Sequence, residues 1–390
     1  NFNGNTFAKK ALEAGAKYVV IDEKEYYQSK HTILVENVLE SLQKLANYHR
    51  NYLKLPIIAL TGSNGKTTTK ELIHAALSQK YKTVATLGNL NNHIGVPLTL
   101  LTMDKETELG IVEMGANHPK EIAFLCEIAQ PDYGYITNFG KAHLEGFGSL
   151  EGVVNAKCEL YDYLKQNNKY IFLNADDAKQ LEKLKTYIKK IGFSKNKTDY
   201  YKIELLDTNP FVKLQVEQTI INSNLIGDYN FSNLGAATII AEYFNVPLEK
   251  IKNGIENYIP QNNRSQIINK NTNKIILDAY NANPSSMEAA ISNFNLLKEK
   301  NKIVILGDMF ELGTEAEKEH QQIASFANNA SFQNIYLIGE NFFKTNTISS
   351  NIKCFKNFDS FKNQFKVPSN STLLIKGSRG MALERILDLL

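Results

Sequence analysis

Along this chain, short apolar runs alternate with segments in which apolar side chains return every three or four positions, and two changes of pattern divide it into three stretches. From Phe7 to Asp22 an amphipathic helix (A-K-K-A-L-E-A-G) runs into an apolar strand over Lys17 to Ile21, and a second helix spans roughly Val35 to Tyr52. From Leu55 to about Tyr258, apolar strands at Ile57 to Leu60, Thr83 to Ala85, Gly110 to Met114, Tyr133 to Thr137 and Tyr170 to Leu173 alternate with amphipathic helices. That is the pattern of a parallel sheet covered by helices. Tyr200 to Ile226 then alternates apolar and polar residues, as a half-exposed antiparallel meander would. Helices over Asn230 to Phe244 and Pro247 to Tyr258 close the stretch. Past Ile259-Pro260-Gln261-Asn262 a new series begins, with strands near Lys274 to Leu277, Ile303 to Leu306, Ile335 to Ile338 and Leu373 to Ile375. The expected fold class is α/β, with domains over 1–53, 54–260 and 261–390 and no internal repeat.

Composition narrows the function classes. The 390 residues carry a net charge of +3 without a basic block, so neither nucleic acid nor an anionic membrane is indicated. Cys126, Cys158 and Cys354 lie far apart with no C-x-x-C spacing, which fits a reducing compartment. No apolar run approaches the ~18 residues of a membrane span, and N-F-N-G-N is no signal peptide. A cytoplasmic protein is expected. Its first residue, Asn1, is not methionine, so an upstream piece is expected as well.

The most specific chemistry lies in Leu60 to Lys70, L-T-G-S-N-G-K-T-T-T-K. A glycine turn follows an apolar strand and opens a helix near Lys66. Gly62 and Gly65 let the N–H groups of Ser63 and Asn64 curl inward, and the helix start adds its positive end, so a polyphosphate is held by amides and dipole together. Lys66 would reach the β- and γ-phosphates, and Thr67, followed by Thr68, would hold Mg²⁺. Leu60 stands where the longer phosphate-loop pattern has glycine, so this is the shorter G-x-x-G-K-T form.

Other candidates depend on position. Glu113 ends the strand G-I-V-E-M-G, where the metal of a nucleotide would sit. His143 follows another strand in I-T-N-F-G-K-A-H-L-E-G-F-G, and a single histidine does not by itself mark a site. Lys157, in A-K-C-E-L, reads as a solvated helical lysine. Asp278, Tyr280, Asn281 and Asn283 form a polar run after a strand, a common place for ligands. Arg264 begins the last domain, where a hinge could swing it toward phosphates. Asn196, Lys197 and Asp199 spell N-K-T-D, a guanine-reading motif, but no D-x-x-G precedes it.

Together these segments resemble the Mur ligases, which join amino acids to a UDP-linked muramyl carrier using ATP. T-G-S-N-G-K-T (Thr61 to Thr67) is similar to their phosphate loop. N-N-H-I-G-V-P-L-T-L-L (Asn91 to Leu101), V-E-M-G-A-N-H (Val112 to His118), A-H-L-E-G-F-G-S (Ala142 to Ser149), D-A-Y-N-A-N-P (Asp278 to Pro284), L-G-D-M-F-E-L-G (Leu306 to Gly313) and K-G-S-R (Lys376 to Arg379) resemble the branch that adds D-alanyl-D-alanine to UDP-N-acetylmuramoyl-tripeptide. Ala142 stands where the sister branches carry an acidic residue before the histidine.

The resemblance implies an N-terminal UDP-substrate domain incomplete at its start, a central ATP-binding phosphate-loop domain on a parallel sheet, and a C-terminal Rossmann-like ligase domain. It implies an ATP-dependent, peptide-bond-forming ligase of peptidoglycan precursor synthesis, working through an acyl-phosphate to ADP and phosphate. The implied cofactors are ATP and Mg²⁺, the implied partners UDP-N-acetylmuramoyl-tripeptide and D-alanyl-D-alanine, and the implied state a monomer. By the same resemblance Thr67, Glu113, His143 and a carbamylated Lys157 are metal ligands. Lys66, Lys157, His143 and Arg264 are catalytic. Gly62, Ser63, Asn64, Gly65, Thr67, Thr68, Asn233, Arg264 and Asp278 touch the nucleotide. Asn91, Asn92, Asn281, Asn283, Ser378 and Arg379 touch the other substrates. Tyr229 stands where some members have histidine, and Asn263 where glycine often precedes the arginine. F-N-G-N is similar to the middle of the family's N-terminal domain.

Overall fold

The computed structural model describes residues 3–261, 263–347 and 349–390. The Asn1 and Phe2 positions used above, and Asn262 at the second boundary, lie outside the described residues.

Three sheets organise the chain. The first is a parallel pair, β1 (Val19–Ile21) and β2 (Thr32–Leu34). The sequence reading anticipated β1 and passed over β2, whose three residues are too few to show a period. The helix Val38–Leu53 follows, with Asn37 accepting from the Glu40 N–H as its cap. It packs on the helices Gly95–Leu101 and Glu121–Ala129 of the next unit. Arg50 holds it there, bonding the carbonyls of Ala129 and Gln130 and the carboxylate of Asp132 at 2.7 Å.

The middle sheet has nine strands: β3 (Ile57–Thr61), β4 (Thr83–Ala85), β5 (Leu109–Glu113), β6 (Tyr133–Ile136), β7 (Tyr170–Asn174), β8 (Lys190–Ser194), β9 (Tyr201–Asp207), β10 (Phe211–Val216) and β11 (Thr219–Ile226). Their spatial order is β11-β10-β9-β8-β7-β6-β3-β5-β4, parallel from β4 to β9 and antiparallel through β10 and β11. The expected meander therefore extends the parallel sheet. It joins through β8, a strand the sequence reading missed because K-I-G-F-S has no clear alternation. β3 has β5 on one side and β6 on the other, so the chain reverses its direction of winding there, and the carboxyl ends of these strands frame a crevice. Helices Lys66–Leu77, Asn230–Tyr243 and Leu248–Glu256 cover one face over Ile58, Leu60, Tyr135 and Phe172.

The last sheet contains β12 (Gln266–Lys270), β13 (Asn273–Asp278), β14 (Lys302–Gly307), β15 (Asn334–Ile338), β16 (Ile352–Phe355) and β17 (Thr372–Lys376), in the order β12-β13-β17-β14-β15-β16. All pairs are parallel except β12 with β13. The edge strands β12 and β16 went unread, since edges carry more polar residues than the buried centre. An apolar cluster running from Val112 and Phe147 of the middle unit to Ala282, Met309 and Leu312 of the last one joins the two. Among the described residues no helix is long and apolar enough to cross a membrane.

Candidate functional site

Two glycines shape the turn after β3. Gly62 has φ +144°, and a Cβ there would fall 2.0 Å from Thr137 Oγ1; Gly65 has φ +78°, and its Cβ would meet Asn233 Oδ1 at 2.7 Å. Side chains are excluded at both, by backbone conformation and by contact. Asn138, a residue sequence reasoning missed, secures the loop: its Oδ1 accepts from the Asn64 N–H at 3.0 Å and its Nδ2 donates to the Asn64 carbonyl at 2.9 Å. Ser63 donates to the Gly140 carbonyl at 2.8 Å. The helix opens at Lys66, as expected. The Lys66 ammonium folds back on the Gly62 carbonyl at 2.8 Å; burial lowers its pKa, Glu113 opposes that shift and Arg264 adds to it.

Glu113, at the end of β5, is 1% exposed. Its Oε1 accepts from Asn91 Nδ2 at 2.7 Å and, among the described residues, its Oε2 has no hydrogen-bond partner. A buried carboxylate oxygen without a hydrogen bond is costly unless cations offset it; the Lys70 ammonium stands 4.0 Å away, too far for a hydrogen bond, and Glu113 and Thr67 line the same cavity. This donor set fits Mg²⁺, which takes one or two protein oxygens and fills its remaining positions with phosphate and water. Among the described residues no three His, Cys, Asp or Glu side chains are gathered into a preformed cage.

His143 sits in the left-handed region, φ +52°, at the start of a short helical turn. Its Nδ1 lies 2.5 Å from Glu311 Oε2 in the last unit. That contact holds the Glu311 carboxyl below its ordinary pKa, through the hydrogen bond first. Lys157 is not the solvated lysine its local sequence suggests. It is 0% exposed on the helix Leu150–Gln166, with Nζ 3.3 Å from the Ala116 carbonyl and 5.2 Å from the centre of the Phe147 ring. Burial, with Lys66 nearby, lowers its pKa to about 7. Its neighbours Asn155, Ala156, Cys158 and Glu159 give no sign of the layer that covers it, which includes Phe147 from the preceding turn and Ala116 from a distant segment.

The last unit closes the cavity. Arg264 stacks on the Tyr280 ring at 3.6 Å. The preceding Asn263 has φ +57°, a region asparagine tolerates best after glycine. Asp278 and Lys376 are register partners at the ends of β13 and β17, with Nζ to Oδ2 at 2.6 Å. Asp278 Oδ1 also accepts from the Ser265 N–H, and Tyr229 bonds Ser265 through its hydroxyl at 3.2 Å. Burial raises the Tyr229 pKa, so that hydroxyl stays protonated. Asn283 caps the helix Pro284–Leu296 and donates to Asn64 Oδ1 at 2.7 Å.

One cavity of about 1130 Å³ collects most of these groups. Ser63 to Thr68, Asn91, Asn92, Glu113, His143, Asn233, Arg264, Asp278, Asn281 and Asn283 line it, and so does Lys376. Asn233 is also tied down, accepting from Thr69 Oγ1 and donating to Asn230 Oδ1. Gly62 and Lys157 lie outside the lining. Ser378 and Arg379 do too: Ser378 is buried and accepts from the Phe310 N–H, while Arg379 pairs with Glu384 at 2.9 Å. In K-G-S-R it is the lysine, carried by the last strand residue, that faces the cavity.

Comparison with known proteins agrees with this geometry. Residues 60–241 match the Mur ligase middle domain and residues 263–379 the Mur ligase, glutamate ligase domain. A UDP-N-acetylmuramoyl-tripeptide--D-alanyl-D-alanine ligase of Buchnera aphidicola (subsp. Acyrthosiphon pisum) is 36% identical over 91% of this chain and 81% of its own length. The Bacillus subtilis enzyme of the same name is 32% identical over 99% of this chain and 87% of its own. Among solved structures, MurF from Acinetobacter baumannii superposes with a TM-score of 0.86 at 30% identity, covering 100% of this chain and 88% of that one. MurF from Thermotoga maritima in complex with ADP gives 0.84 at 26% identity, over 100% and 91%.

Proposed function

The chain belongs to the Mur ligase family, and from that premise we propose how its own residues carry the reaction. It is an ATP-dependent ligase that adds D-alanyl-D-alanine to UDP-N-acetylmuramoyl-tripeptide through an acyl-phosphate, in peptidoglycan precursor synthesis. The observation that supports the residue assignments is the single cavity lined from both the phosphate-loop unit and the last unit.

A carboxylate does not react usefully with an amine in water, so the tripeptide carboxylate is first phosphorylated. In our reading the amides of Gly62 to Gly65 and the Lys66 helix start cradle the ATP phosphates. Lys66 leaves the Gly62 carbonyl for the β- and γ-oxygens, and Arg264 reaches the same charge from the last domain. Two anions at ~4 Å repel by about 1 kcal/mol in water and several times more in a drier site, so these cations lower the barrier as the oxygens approach. Asp278, oriented by Lys376, holds the nucleotide, with Asn233 bracing the loop beneath it. Asn91 and Asn92 bind the muramyl-peptide side, and Asn281 and Asn283 the dipeptide side. Its neutral amine then attacks the acyl-phosphate and phosphate leaves.

Mg²⁺, when bound, neutralises phosphate oxygens and polarises the transferred group. Thr67, Glu113 and His143 are the residues that would hold it. For Lys157 we propose carbamylation. An ammonium repels a metal ion, whereas addition of CO₂ to the neutral amine gives an anionic oxygen donor, and burial favours that neutral form. We also propose the domain division 1–53, 54–260 and 261–390, a monomer, and a cytoplasmic location.

Phosphate release in the presence of ATP, UDP-N-acetylmuramoyl-tripeptide and D-alanyl-D-alanine tests this reading. Release should require both acceptors and yield ADP. Formation of AMP and pyrophosphate would overturn the acyl-phosphate route. Equal turnover without acceptors would indicate a nucleotide switch, and turnover with folate and glutamate a different ligase.

A further inference from the structure

Four residues after Lys66, on the same helix, a second lysine is fully buried. Lys70 is 0% exposed, and its Nζ donates to the Thr86 carbonyl at 2.5 Å and the Gly88 carbonyl at 3.1 Å. It lies 2.9 Å from Glu71 Oε1 and forms an ion pair at 4.0 Å with Glu113 Oε2, which has no hydrogen bond among the described residues. The two carbonyls belong to the segment leading from β4 to Asn91. That segment grips the end of β5 at three further points. Thr86 Oγ1 accepts from the Glu113 N–H at 3.0 Å, Asn91 Nδ2 donates to Glu113 Oε1, and the Asn91 carbonyl accepts from the Gly115 N–H at 2.7 Å.

We propose that Lys70 is a positioning residue for the ligase reaction: its buried ammonium ties the 86–91 segment to the end of β5 and holds the Glu113 carboxylate and the Asn91 amide as one unit. The inference rests on the reading above, which puts Glu113 toward the nucleotide's metal and Asn91 toward the muramyl-peptide. Stability alone is a poor reason for this lysine, because a buried ion pair is often no better than apolar side chains of the same volume. The cation is suited to two tasks an apolar group cannot perform. It satisfies two carbonyls in a loop without regular pairing, and it offsets a buried carboxylate before any metal arrives.

Lys70→Met keeps the length of the side chain and removes the charge. Two measurements read it: steady-state kinetics with each substrate varied, and ADP binding by calorimetry with and without Mg²⁺. The KM for UDP-N-acetylmuramoyl-tripeptide should rise, and the gain in ADP affinity on adding Mg²⁺ should shrink, each by about 10- to 100-fold, as when a group orienting a metal ligand is lost. Metal-free ADP affinity and the KM for D-alanyl-D-alanine should stay at wild-type values. Unchanged constants would overturn the proposal, and so would a uniform loss in all of them together with a lower melting temperature, which marks a structural role. If Lys70→Met does not fold, Lys70→Gln keeps an N–H donor for the carbonyls and removes the charge beside Glu113, and it must show the same split or the proposal falls. Failure of the wild-type enzyme to couple phosphate release to both acceptors would instead sink the ligase reading, while the Mg²⁺ arm of the binding experiment still judges Lys70.

Discussion

Asn283 of the last domain donates its side-chain N–H to Asn64 Oδ1 of the phosphate loop at 2.7 Å, while its own Oδ1 accepts from the Ser286 N–H at 2.9 Å and caps a helix. One side chain therefore joins the last domain to the loop between β3 and the Lys66 helix. Asn283→Ser keeps a good helix cap and deletes the bond to Asn64. The melting temperature should hardly move, and the KM for ATP should rise by about tenfold, the loss of one hydrogen bond. Small-angle scattering with a nonhydrolysable ATP analogue and the tripeptide substrate should show compaction in the wild type and less in the variant. An identical ATP dependence would mean that the contact does not couple the domains.

In the proposed mechanism Lys66 moves from the Gly62 carbonyl to the transferred phosphoryl group, and Lys66→Ala removes that cation. Turnover should fall on the order of 10³-fold, as for other single charge-stabilising groups in phosphoryl transfer. The folded structure should persist, since among the described residues this ammonium bonds the loop carbonyls of Gly62 and Ser63 alone. Retention of near-normal kcat would remove Lys66 from the mechanism.

Lys157→Ala should abolish most activity and leave the fold intact, with small carboxylates partly restoring the rate from the vacated position. The direct check is ¹³C NMR under ¹³CO₂, where a carbamate resonance in the wild type should vanish in the variant. At pH 7 the Lys157 amine, with its pKa near 7, is about half neutral, and only that form adds CO₂. The resonance should therefore weaken as pH falls below that value. Full turnover under CO₂-free conditions would return Lys157 to a packing role.

Arg50→Met breaks the pairing of the helix Val38–Leu53 with Asp132, which Lys169 also contacts at 2.6 Å. Asp132 keeps Lys169 as a partner, so the loss should stay below the about 3 to 5 kcal/mol of a buried charge left alone. The expected result is earlier thermal unfolding with ATP turnover at room temperature preserved, because Arg50 does not line the catalytic cavity. An unchanged melting curve would show that apolar packing alone holds this helix.

Local chemistry made much of the protein readable in advance. Ile57 to Thr61 and the G-S-N-G-K-T turn are consecutive, so strand, phosphate loop and helix start follow from backbone rules acting over a dozen residues. The central strands of both large sheets are continuous apolar runs because helices cover both of their faces. The same reasoning placed Glu113 and Asp278 at strand ends and His143 in the segment that follows a strand. Lys157 and Lys70 were beyond its reach. Each looks like an ordinary helical lysine, and what buries it is Phe147 and Ala116 in one case and the Thr86 to Gly88 segment in the other. The interior strand β8 and the edge strands β12 and β16 were equally hidden, since what fixes each is its pairing within an assembled sheet. Which residue of K-G-S-R faces the cavity depends on the register of β17 against β13, where Lys376 meets Asp278. Desolvation and ion pairing depend on distances between segments remote in sequence, and those distances exist only once the sheets have assembled.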